Sequence, residues 1–225
     1  MIISHKHRFI FVKTQKTAGT SLEIALSAIC GPDDIITPIS PEDEQLRQSP
    51  GLRKPQNVRV PFSRYRWIDW CKTVITWKRV RFYNHASAKE IRHWIGQEIW
   101  DQYYKFCFER NPYEKVISHY YWKGGARRFG SIKKFIRSGK VKQLFAEKQY
   151  KLKGQSAMNR IYQYEKFEEA LSDLQKRFQP DQPLKLPMAK SNYRKDRRVW
   201  NDILTVEEQQ MIADLFGEQK RKSHR

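Results

Sequence analysis

The junction near the start of this chain constrains its fold more than any other feature. The apolar run Phe9-Ile10-Phe11-Val12 is followed by Lys16-Thr17-Ala18-Gly19-Thr20-Ser21 and then by Leu22-Glu23-Ile24-Ala25-Leu26. The apolar run, within Arg8–Lys13, reads as a buried strand, and Leu22 onward reads as a helix. A strand, a short turn and a helix build an anion site. Backbone N–H groups at the helix start point at the ligand, the helix dipole favours negative charge there, and Lys16 adds a full positive charge. The junction therefore predicts bound phosphate or sulfate. It is not a Walker A loop, because GxxxxGK[ST] places glycines ahead of the lysine and here Gly19 follows Lys16.

The rest of the chain alternates strand and helix signals, which predicts one α/β domain over residues 1–225 with a central parallel sheet flanked by helices. Tyr104–Glu109 reads as a second strand, and Pro112 suits the first turn of a helix through Tyr121. Ser87-Ala88-Lys89-Glu90 is a capping-box pattern opening a helix to about Ile95, which Gly96 ends. Phe167–Phe178 places Phe167, Ala170, Leu171, Leu174 and Phe178 on one helical face. Thr205-Val206-Glu207-Glu208 opens a further helix with Gly217 as its expected stop.

Between Pro32 and Tyr83 the periodicity fades and prolines recur, so residues 32–83 are expected to form an irregular insert. Its second half interleaves nine Lys/Arg and a single acid, Asp69, with Phe62, Tyr65, Trp67, Trp70, Trp77, Phe82 and Tyr83. Two readings fit: a surface that grips a polyanion, or a lid that packs its tryptophans on the core and leaves its charges in water.

Lys+Arg at 44 against Asp+Glu at 24 gives a net charge of +20, which calls for a negatively charged partner such as nucleic acid, anionic lipid or acidic glycan. Cys30, Cys71 and Cys107 show neither paired nor metal-ligand spacing, so reduced thiols are expected and no metal site. No apolar run approaches the roughly 18 residues of a membrane span, and the first residues lack a signal-peptide core, which leads to a cytoplasmic expectation.

The run Lys16 to Ser21 resembles the 5′-phosphosulfate loop of sulfotransferases that use 3′-phosphoadenylyl sulfate (PAPS), and is most similar to the carbohydrate branch typified by heparan sulfate 2-O-sulfotransferases. Gln15 stands where that branch commonly has proline, and Lys13 where it commonly has histidine. Phe108-Glu109-Arg110-Asn111-Pro112, continuing through Ser118 to Tyr121, resembles the 3′-phosphate site of the same family, in which an arginine at a strand end and a serine eight residues later share the phosphate. Taken alone, the spacing equally fits Arg110 paired with Glu114 at a helix start. Tyr83-Asn84-His85-Ala86-Ser87 lies where the family carries its histidine base. His85, with an ordinary pKa near about 6.5, suits that task. His93 and His119 fall inside expected helices, and His5, His7 and His224 near the termini. Weaker similarity runs through Tyr162–Phe167 and through the late stretch containing Lys190, Ser191 and Arg194, the candidates for substrate contact. In all, the resemblance covers residues 8–29 and 83–217.

The resemblance implies a P-loop-like three-layer fold and sulfuryl transfer from PAPS to an acceptor hydroxyl. Lys16 would stabilise the leaving phosphate and His85 would act as base. Thr17, Ala18, Gly19, Thr20 and Ser21 would cradle the 5′-phosphate, Arg110 and Ser118 would hold the 3′-phosphate, and no metal is needed. The acceptor would be an acidic or hydroxylated glycan or small molecule, or a lipid-linked one at a membrane surface. A nucleotide-dependent kinase and, last, a basic nucleic-acid-binding module remain as alternatives; they predict ATP and magnesium dependence and salt-steep binding to single strands, respectively.

Overall fold

In the computed structural model, residues 1–180, 182–186, 196 and 198–222 are described. Five strands make the central sheet: β1 (Ile2–Ser4), β2 (Phe9–Phe11), β3 (Ile35–Ile36), β4 (Tyr104–Glu109) and, after a small ribbon of β5 (Lys151–Leu152) and β6 (Gln155–Ser156), β7 (Arg160–Gln163). Their order is β3-β1-β2-β4-β7. β2 and β4 run parallel, as expected, and β7, where the sequence pattern gives no strand signal, adds a third parallel strand beside β4. β1 runs antiparallel to both β2 and β3, so the sheet is mixed and not wholly parallel. The reversal is local. Asp34 clamps the β1–β2 turn, accepting hydrogen bonds from the Ser4 hydroxyl (2.7 Å) and from the backbone N–H groups of His5 (2.7 Å), Lys6 (3.1 Å) and Gly31 (2.8 Å). Burial opposes ionisation of Asp34, but these donors outweigh it and hold the carboxyl below the usual range.

Alternation along the strands sorts the core into two layers. Phe9, Phe11, Phe106 and Phe108 point to one side, against Leu22 and Leu26 of α1 (Gly19–Ser27) and Leu171, Leu174 and Phe178 of α10 (Phe167–Phe178). Ile10, Val12 and Cys107 point to the other, against Ile91, Trp94 and Ile95 of α4 (Ala88–Ile95) and Trp100 of α5 (Gln97–Gln102). Helices thus cover both faces of the sheet. Beside it, α6 (Pro112–Trp122), α8 (Ile132–Arg137) and α12 (Val206–Lys222) enclose a third cluster around Val116, Phe135 and Ile212. The short α7 (Gly125–Phe129), α9 (Glu147–Tyr150) and α11 (Trp200–Ile203) complete the connections.

The expected capping box of α4 is present, with Ser87 and Glu90 each bonding the other's backbone, and Gly96 at φ 90° ends the helix. Gly217 does not end α12. Its φ is not in the left-handed region that a glycine stop uses, and an interior glycine costs only about 1 kcal/mol, which the packing of Ile212, Leu215 and Phe216 offsets. His5 and His7, placed near a terminus by sequence, are built into the fold: His5 Nδ1 lies 2.7 Å from the Tyr103 hydroxyl and His7 Nε2 lies 3.0 Å from the Ile29 carbonyl.

Residues 32–83 carry more regular structure than their prolines suggest. They supply β3, α2 (Pro41–Leu46) and α3 (Trp67–Thr76). The lid reading fails for two tryptophans, since Trp67 and Trp77 are 80% and 92% exposed. Cys30, Cys71 and Cys107 are free thiols. Among the described residues no helix is long and apolar enough to cross a membrane.

Candidate functional site

β2 delivers the chain to a loop stitched to the end of β4. The Val12 N–H donates to the Phe106 carbonyl (2.9 Å), the Thr14 hydroxyl donates to the Phe108 carbonyl, and Thr14 and Thr17 hydroxyls lie 3.0 Å apart. Two non-glycine residues then adopt left-handed backbone, Lys16 at φ 61° and Ala18 at φ 53°. Each costs about 1–2 kcal/mol, the kind of strain that clusters at binding sites. Ala18 is the N-cap of α1 and provides no side-chain cap, so the first N–H groups of the helix face the cleft without an internal acceptor from that residue.

Lys13 lies beneath this loop, 4% exposed. Its Nζ meets Glu23 Oε2 of α1 at 2.6 Å, and Glu23 Oε1 also meets the Met1 α-amine (2.8 Å), the Thr37 hydroxyl (3.0 Å) and Arg47 Nη1 (3.8 Å). Burial opposes the Glu23 charge, but the α-amine and Lys13 overcome it and keep the carboxyl below its usual range. The pair fixes the angle between β2 and α1. Gly19 is part of the same fit, because a Cβ there would stand 2.9 Å from Lys13 Cγ.

The opposite wall comes from the β4–α6 turn. Asn111 caps α6 by accepting the Tyr113 N–H (2.9 Å), Pro112 occupies its first turn, and the Asn111 N–H donates to Glu165 Oε1 (2.8 Å). Arg110 does pair with Glu114 (Nη2 to Oε2, 2.9 Å) and stacks over Tyr164 at 4.3 Å. That pairing leaves its Nε buried and with no hydrogen-bond partner among the described residues. Ser118 lines the same cleft one turn before Trp122, whose ring lies 5.2 Å from Lys16 Nζ. His119, buried behind them and stacked on Trp122, is pushed down to about 4 by burial and by the charges of Lys16 and Lys123.

His85 closes the site from the α4 side, in left-handed backbone at φ 62°. Its Nδ1 lies 2.9 Å from the Lys13 carbonyl, which can only accept; Nδ1 therefore carries the proton and Nε2 presents a lone pair. Burial, with Lys13 adding to it, pushes the His85 pKa down to about 4, well below the ordinary value expected from sequence. The imidazole is neutral throughout the physiological range.

Lys16, Thr17, Ala18, Gly19, Thr20, Ser21, His85, Arg110 and Ser118, drawn from three separated segments, all line one cleft of about 1040 Å³. Lys190, Ser191 and Arg194 lie outside the described residues. The Lys13–Glu23 pair and Trp122 are not among the residues that the sequence patterns single out. Trp122 was detectable, because it follows Ser118 by four residues on the same helix and so shares its face. The Lys13–Glu23 pair shows no such periodic signal and emerges only when β2 and α1 pack.

Residues 1–192 match the family described as "Sulfotransferase family". Over 113 residues the chain is also 33% identical to an uncharacterized protein of Archaeoglobus fulgidus, a similarity covering 47% of this chain and 94% of that protein. No solved structure matches. The family match takes in both walls of the cleft and His85 between them, and on that basis the chain belongs to the sulfotransferase family, a transferase of sulfuryl groups on a mixed α/β sheet.

Proposed function

We propose that the cleft moves a sulfuryl group from PAPS to a hydroxyl of a carbohydrate or similar acceptor, on a P-loop-like fold. One observation carries this reading: the uncapped N-terminus of α1 with Lys16, and Arg110 with Ser118, line the same cleft as His85. Two anion positions suit a nucleotide with separate 5′- and 3′-phosphates better than a linear triphosphate. The Nε of Arg110, buried and without a partner among the described residues, fits the second of them, since an unpaired buried donor costs about 1–3 kcal/mol and an anion there satisfies it. Sulfotransferases generally draw on this donor, and the similarity of Lys16–Ser21 and of the Arg110–Ser118 segment to the carbohydrate branch supports a glycan acceptor.

Bound there, the donor would supply an activated sulfuryl group whose departure leaves negative charge on the 5′-phosphate. The chain's own groups handle that charge and one proton. Lys16 and the N–H groups of Thr17 to Ser21, with the Thr20 and Ser21 hydroxyls, stabilise the charge as it develops and need no reorganisation to do so. As the acceptor oxygen bonds to sulfur and the bond from sulfur to the phosphate oxygen breaks, the acceptor proton passes to His85 Nε2. A base with a pKa of about 4 is weak, so this transfer runs late, once the oxygen has become acidic through bond formation. Adenosine 3′,5′-bisphosphate and a sulfate ester are the products.

Transfer from radiolabelled PAPS to a panel of hydroxylated glycans tests the reading. Lys16→Ala and His85→Ala should each lower kcat by about a hundredfold or more. Wild-type rates in both variants would remove these roles.

A further inference from the structure

α3 is built the wrong way round for a helix on the surface of a soluble core. Its buried residue is polar: Asp69 faces the protein, 4% exposed, and accepts the Arg66 backbone N–H (3.0 Å) and Nε (3.2 Å). Thr73, on the same side, buries its hydroxyl. The outward face carries Trp67, Ile68, Val74 and Ile75, half-exposed Trp70 borders it with its ring packed on Phe62 and Tyr65, and Trp77 follows at the C-cap. At 100° per residue these side chains cover about half the circumference. Four of them are nearly bare, with Val74 at 68%, Ile75 at 78%, Trp67 at 80% and Trp77 at 92% exposed. Chance does not place so many large apolar groups together in water.

The charges around this face have one sign. Lys72 and Lys78 are exposed around it, Arg66 is half-exposed with its Nε turned to Asp69, and the insert's one acid in this half, Asp69, is turned inward. A second copy of the chain is a poor occupant, because a two-fold contact would press this cationic rim against itself. An anionic lipid surface accepts both parts. Aliphatic side chains and tryptophan rings enter the zone between headgroups and acyl chains, and lysine and arginine meet the phosphates. At ten residues, about 15 Å, α3 is too short to span a bilayer and suits lying in its surface.

We infer that α3 is an interfacial anchor that seats this protein on anionic membrane by inserting the Trp67–Trp77 face. This inference stands independently of the sulfuryl-transfer reading, since it uses none of the cleft residues.

Sedimentation of the full chain with vesicles of phosphatidylcholine alone, and of phosphatidylcholine mixed with phosphatidylserine, tests it. Wild-type protein should bind the mixed vesicles much more tightly, and added salt should weaken but not abolish binding. The variant Val74→Ser/Ile75→Ser/Trp77→Ser alters only exposed groups and should fold normally; its affinity should fall about tenfold or more. Adsorption through the +20 charge alone would leave the triple variant binding like wild type and salt releasing both, which overturns the inference. It is equally overturned if wild-type protein ignores the mixed vesicles, or if it forms a dimer that the triple variant loses while neither binds lipid.

Discussion

Gly19→Ala tests the packing beneath the anion loop because two arguments predict opposite signs. Gly19 is the first residue of α1 and has no left-handed φ. Helix propensity alone therefore favours alanine, by roughly 0.5–1 kcal/mol. The packing says otherwise. The added methyl would stand 2.9 Å from Lys13 Cγ and 3.3 Å from Cε. Lys13 cannot swing aside cheaply, since it is buried and its Nζ is held on Glu23 at 2.6 Å. Overpacking of this kind costs about 1–3 kcal/mol, so the net effect should be destabilising, centred near about 1 kcal/mol and at most about 2.5 kcal/mol once the propensity gain is subtracted. For a chain of this length that lowers Tm by roughly 2–4 °C per kcal/mol. Urea unfolding of wild type, Gly19→Ala, Lys13→Ala and the double variant closes a mutant cycle. Lys13→Ala removes the atom that the methyl strikes, so the double variant should be more stable than the two single losses predict, by about 1–3 kcal/mol. A Gly19→Ala protein as stable as wild type, or a cycle with no coupling, would refute the argument.

Other expectations come from the same geometry. Ala18→Gly should stabilise the chain by about 0.5–1 kcal/mol in urea, because it relieves a left-handed alanine; no gain would count against that backbone. Glu23→Gln should cost about 3–5 kcal/mol by the same measurement, since Lys13 would keep a buried charge without its carboxylate, whereas a loss below about 1 kcal/mol would show the cluster to be indifferent. His85 and His119 both sit near about 4 against about 6.5 unfolded, so the unfolded chain binds more protons between those values. Their contribution is complete above pH about 6.5 and is lost as pH falls toward 4, at about 3 kcal/mol apiece. His119→Gln should flatten that decline in urea midpoints measured from neutral to acid pH, and parallel curves would contradict it.

How much of this was legible in the sequence depended on how local each signal was. The capping box of α4, the Pro112 start of α6 and the apolar stripe of α10 sit within single elements, and the structure places all three as the pattern implies. The convergence of Lys16–Ser21, His85, Arg110 and Ser118 was approached through resemblance, because spacing alone could not tell whether Arg110 faced a ligand or Glu114; in the structure it lines the cleft and pairs with Glu114 together. β1 and β3, three and two residues long, are too short for periodicity to register, and both depend on pairing with distant partners. Gly217 misled because glycine marks a stop only where the chain turns left-handed. The downward shift of His85 was invisible for a similar reason: its causes are burial and Lys13, seventy-two residues away, whose carbonyl it touches.

Whether one cleft holds two separate phosphate positions is tested most directly by calorimetric titration with adenosine 3′,5′-bisphosphate. Wild-type protein should bind it saturably and bind adenosine 5′-monophosphate more weakly by about tenfold or more, and that difference should collapse in Arg110→Ala, which removes the donor set beside Ser118. Equal affinity for the two nucleotides in wild-type protein, or an Arg110→Ala variant that discriminates as wild type does, would contradict it.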